Sequence, residues 1–149
     1  MQIKALPIEA QAKLGATHEI EISHEDLSAA ATTQTLIISV PDGSWVKSGF
    51  HILDTEFVSP SSTSLTYKVG DDSDADLFMT ATQIDAAHAS TITYKAPTPG
   101  SGAAAVGTGK VYPSQDTVDI EFTGSHNLNT FTAGKFRYFF TLVELDKIN

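Results

Sequence analysis

The sequence predicts an all-β fold, a single jelly-roll-like β-sandwich preceded by an extended N-terminal arm. Three observations predict it. Short segments alternate apolar and polar residues with the period of a strand. Turn residues separate these segments at regular intervals. No segment shows the apolar spacing of a long amphipathic helix. The count is about eight or nine short strands, which suits two sheets of a jelly roll. No repeat of fixed period interrupts this pattern.

The elements follow in chain order. Residues 1–16 read as the arm, ahead of a sandwich domain over residues 17–149. IKALPIEAQAKLGA carries Ile3, Leu6, Ile8 and Leu14 without a clean helical or strand period, and Pro7 breaks its only short helical stretch. Two readings stand for it: a frayed terminus, or an arm whose aliphatic residues dock on a partner. THEIEIS alternates Ile20 and Ile22 with Glu19 and Glu21, the pattern of a half-buried strand. Ser23 is placed to cap a short helical turn, with Glu25 and Asp26 near its positive end.

QTLIISV (34–40) is an apolar, β-branched strand that ends at Pro41, Asp42 and Gly43. PDGSWVKSG reads as a mobile loop, and its Trp45 either plugs an end of the sandwich or presents a binding hot spot. FHILDTEFV (50–58) is the next strand, with mixed faces. In SLTYKVG, Leu65, Tyr67 and Val69 face one way while Thr66 and Lys68 face the other. LFMTATQI (77–84) and TITYKA (91–96) read as strands, with a turn or short helix at DAAHAS between them. Residues 97–109 form a Pro-, Gly- and Ala-rich loop. KVYPS and TVDIEFTG follow. KFRYFFTLVEL (135–145) is apolar on both faces, as a central or doubly covered strand is.

Composition narrows the function classes. A length of 149 residues and a hydrophobic fraction of 41% suit one ordinary core. The formal net charge of -9, with few and scattered basic residues, argues against nucleic-acid binding. An acidic surface suits docking on basic patches of a protein partner. No apolar run approaches the roughly 20 residues of a membrane span, so no membrane association is expected. The start of the chain lacks the apolar stretch of a signal peptide, and synthesis in a cytoplasm is expected. The absence of cysteine excludes disulfides, thiolate metal sites and a cysteine nucleophile.

The stretch GDDSDAD (70–76) is the strongest chemical signal. Asp72, Asp74 and Asp76 match positions 1, 3 and 5 of a calcium-binding EF-hand loop. That loop also needs Gly at position 6 and Glu at position 12, where this chain has Leu77 and Gln83. A solvated hairpin loop, turned at Gly70 and Asp71, explains the stretch without a metal. Acids this close together on one loop are not held across a cleft, as a glycosidase pair must be. GSGAAAVGTGK fails the phosphate-loop pattern at Ala104 and Val111. The histidines, His18, His24, His51, His88 and His126, form no HxH or HExxH pair, although His18 and His24 flank one strand. No GxSxG elbow is present. No cofactor, metal or catalytic residue is therefore expected.

Three stretches carry a family resemblance: GATHEIEISHEDL (15–27), SLTYKVGDDSDADLFMTA (64–81) and LNTFTAGKFRYFFTL (128–142). In this order the chain resembles small virion proteins of tailed bacteriophages that are similar to capsid decoration, or cement, proteins. The long Gly- and Ala-rich loop departs from that pattern. The resemblance implies a protein on the outer surface of an icosahedral head, holding capsid subunits together. Its implied partners are the major capsid protein and further copies of itself, as a homotrimer or a dimer. Ile3, Leu6, Ile8 and Leu14 are then the expected capsid contacts. The alternatives are another virion β domain (tail, fibre or receptor-binding) and a carbohydrate-active β-sandwich enzyme.

Overall fold

A computed structural model describes residues 1–84, 94–95 and 109–148. DAAHAS, most of TITYKA, His88 and residues 97–108 of the Gly- and Ala-rich loop lie outside the described residues. The strands are β1 (Gln2–Ala5), β2 (His18–Ser23), β3 (Thr33–Val40), β4 (Ser44–Val58) and β5 (Leu65–Asp71). They continue as β6 (Asp74–Gln83), β7 (Tyr94–Lys95), β8 (Lys110–Tyr112), β9 (Asp116–Gly124) and β10 (Ala133–Glu144). Among the described residues they form two antiparallel sheets, as an all-β sandwich requires. One runs β1-β2-β10-β4-β7, with β8 also paired to β4; the other runs β3-β9-β5-β6.

Strand alternation builds the core. Ile20, Ile22, Phe136, Tyr138 and Phe140 point inward from the first sheet. Leu65, Tyr67, Val69, Val118, Ile120 and Phe122 meet them from the second. Tyr67 lies at the centre, 5.0 Å from the Phe136 ring and 6.1 Å from the Phe122 ring. Its hydroxyl lies 2.6 Å from Nδ1 of His51, so the buried polar tip is satisfied. Each large side chain fully buried here contributes about 2–3 kcal/mol relative to exposure. β10 is a central strand, between β2 and β4, but it is not apolar on both faces: Phe136, Tyr138 and Phe140 point into the core, while the outer side carries Lys135 and Arg137 and is apolar at Phe139, under the N-terminal segment.

The N-terminal segment differs from the expected extended arm. β1 pairs with β2 from Gln2↔Glu21 to Ala5↔His18. Helix α1 (Ile8–Leu14) then lies on the outer face of the first sheet. Pro7 starts this helix and does not break it: its fixed φ suits the entry, and its carbonyl accepts from Ala10 and Gln11. Ala10 and Leu14, with Leu6 and Ala16, cover Phe50, Ile52 and Phe139. Phe50 and Phe139 stack at 4.8 Å beneath that cover. Ser23 does precede a helical turn, His24–Asp26, and Asp26 Oδ2 accepts from both the Ser23 amide (2.9 Å) and its hydroxyl (3.2 Å).

Trp45 also moves relative to expectation. β4 is a single strand of 15 residues, so Trp45 sits within a sheet, paired with Val143 and Val111, and not on a loop.

Candidate functional site

The acidic stretch closes the β5–β6 hairpin. Asp71 pairs with Asp74, leaving Asp72 and Ser73 at the turn. Gly70 is required by close approach: a Cβ there would lie 2.1 Å from the Asp74 carbonyl oxygen. The expected hairpin is present, but Asp71 is not solvated. It is 3% exposed. Its Oδ1 accepts from the Ser73 amide (2.9 Å), the Ser73 hydroxyl (2.6 Å) and the Asp74 amide (3.1 Å). Its Oδ2 accepts from Lys110 Nζ (2.5 Å) and the Tyr112 hydroxyl (2.8 Å).

Burial alone would raise the Asp71 pKa. The hydrogen bonds from Lys110, Ser73 and Tyr112 outweigh it and hold the carboxyl at about 2. Burial, followed by the bond to Asp71, pushes the Tyr112 hydroxyl well above its usual range. Lys110 also lies 4.9 Å from the centre of the Tyr112 ring. This constellation ties the hairpin to β8. It holds a carboxylate that stays charged near neutral pH and whose acceptor positions are occupied, which suits anchoring and does not suit proton transfer. Among the described residues, no group of three or more His, Asp or Glu is arranged to hold a metal.

Among the described residues the histidines do not assemble. His18 and His24 lie at opposite ends of β2, roughly 20 Å apart at the rise of a strand. His18 is half-buried against Phe140, and burial lowers its pKa against the opposing pull of Glu144. His51 is in the core and His126 is exposed.

The four expected contact residues divide into two pairs. Leu6 is buried and Leu14 packs on the same small cluster, so both serve the chain's own fold. Ile3 on β1 is 45% exposed, and Ile8 in the first turn of α1 is 83% exposed. Ile3 pairs with Ile20 and so shares its core-side face, whereas α1 and Ile8 lie over the outer face, which carries paired charges. Arg137 donates to Asp54 through Nε and Nη2, both at 2.8 Å, and lies 5.5 Å from the Phe139 ring. Lys135 pairs with Glu21 at 2.9 Å. Sequence reading missed both the Asp71–Lys110–Tyr112 constellation and the Arg137–Asp54 fork. Each joins residues far apart in the chain, and only strand order brings them together.

Searches against protein families, curated proteins and solved structures find no match to this chain.

Proposed function

We propose that this chain is a non-enzymatic structural protein that binds the outer surface of an icosahedral phage head and bridges capsid subunits. The resemblance in residues 15–27, 64–81 and 128–142 motivates the setting. The observation that carries the binding role is the exposure of two large aliphatic side chains, Ile8 on the helix over the outer sheet face and Ile3 on the edge strand β1, both in a segment fastened to the body. The concentrated acids support a structural reading, because Asp71 serves the hairpin and β8. In this reading the major capsid protein is the partner. Each copy contributes a modest apolar contact, and repetition over a symmetric shell supplies avidity.

Removing residues 2–14 is a poor test, since it also uncovers Phe50, Ile52 and Phe139. The double variant Ile3→Ser/Ile8→Ser is cleaner. On heads lacking the protein, wild type is expected to saturate its sites. The variant is expected to lose affinity by about tenfold or more while remaining folded, as circular dichroism and cooperative melting check. Full occupancy by the variant at wild-type concentration would overturn the contact.

A further inference from the structure

Sheet edges that face water are ordinarily blunted by short length, charge, proline or a bulge. Among the described residues, most edges here follow that rule. β1 has four residues and carries Lys4. β6 carries Asp74 and Asp76 and meets β5 through two register shifts. β7 and β8 have two and three residues.

β3 departs from it. Its eight residues, TQTLIISV, contain no charge and no proline. They pair with β9 from Thr33↔Thr123 to Val40↔Asp116 without a shift. No other backbone hydrogen bond among the described residues reaches Thr33–Val40. Thr33, Thr35, Ile37 and Ser39 are all exposed, Ile37 at 60%.

We propose that this edge is a two-fold seam between two copies of the chain. Antiparallel pairing of β3 with itself, centred on Ile37, is self-complementary. Ile37 meets Ile37, and Thr35 meets Ser39 on either side, so the apolar side chain is covered and hydroxyls face hydroxyls. The buried parity also matches, with Leu36 opposite Ile38. The two four-stranded sheets become one continuous sheet of eight strands.

Charge favours a second copy at this edge over any other. Two chains of net charge -9 repel, and β3 brings no charge to the seam. The nearest acids on the same face are Asp119, opposite Ile37, and Glu121, opposite Thr35. Glu121 is paired with Lys68 at 2.9 Å. The two Asp119 side chains would be separated by three strand spacings, about 14 Å. That exceeds the Debye length of about 8 Å at physiological salt. A ring joining β3 to the charged, shifted β6 has no such match, so the closed dimer is the assembly this edge favours. The seam does not depend on the virion role.

The test uses analytical ultracentrifugation over a concentration series, because a seam of one strand pair is small. Wild type is expected to reach twice its 15.9 kDa mass. Ile37→Lys places like charges face to face and is expected to raise the dissociation constant by about tenfold or more. Ile37→Cys, in a chain without other cysteines, is expected to give a covalent dimer on oxidation. The Cα separation of an antiparallel pair, about 4.5–5.5 Å, lies within disulfide reach. A Val58→Cys control on β4 is expected to give none. A wild type that stays monomeric at every concentration overturns the proposal and turns attention to a strand from a different protein. A trimer, or a dimer indifferent to Ile37→Lys, also overturns it. A dimer that Ile37→Lys dissociates but Ile37→Cys does not cross-link overturns the register.

Discussion

Asp71 stays ionised in the fold because five donors reach it: two from Ser73, one from Asp74, and one each from Lys110 and Tyr112. Its pKa falls from 3.8 to about 2. The folded state therefore binds this proton less readily than the unfolded chain does. The resulting stabilisation is fully present above the unfolded value of 3.8 and is lost as pH falls through about 2. Its size is about 2 kcal/mol. Asp71→Asn is expected to cost about that much near neutral pH. Urea unfolding of both proteins should show the gap closing as pH falls from 3.8 toward 2. A gap independent of pH would mean the charge is not what matters. A second residue-scale test lies in the core. Tyr67→Phe removes the 2.6 Å partner of His51 and is expected to cost about 1–3 kcal/mol in thermal or urea unfolding.

The elements show where sequence patterns can be read and where they cannot. β2, β3, β5, β9 and β10 were legible because each keeps strict alternation or a sustained apolar run against a regular partner. β4 was legible only in its second half. Its pairing with β10 shifts register in three places, which breaks the period. Gly49 marks a loop by composition, yet here it permits close approach: a Cβ would lie 2.1 Å from the Phe139 carbonyl oxygen. In the N-terminal segment the four aliphatics were found, but their division was not. A period cannot separate residues that cover the chain's own sheet from residues that face solvent when the element is seven residues long. That division has a direct consequence. Leu6→Ala is expected to destabilise by about 2–3 kcal/mol, because Leu6 packs with Ala16, Ile52 and Phe139. Ile8→Ser is expected to change stability by less than about 0.5 kcal/mol. Chemical denaturation of the two variants side by side checks the contrast, and equal losses would contradict it.

At the scale of the whole molecule, a sandwich of two antiparallel sheets offers two surfaces with different uses. The N-terminal segment presents Ile8 over a sheet face of paired charges and leaves Ile3 exposed at the β1 edge. The uncharged edge of β3 offers a place where two acidic chains can join. Neither surface was fully legible in the sequence: exposure of Ile37 and Ile8 follows from strand order and helix placement, which local pattern does not specify. The phage-head role is the central claim, and imaging tests it most directly. Under the proposed role, cryo-electron microscopy of virions whose genome carries this gene is expected to show the sandwich on the outer shell, across junctions between capsid subunits. Shells bare of it, with the chain found at the tail or fibre instead, would contradict that role.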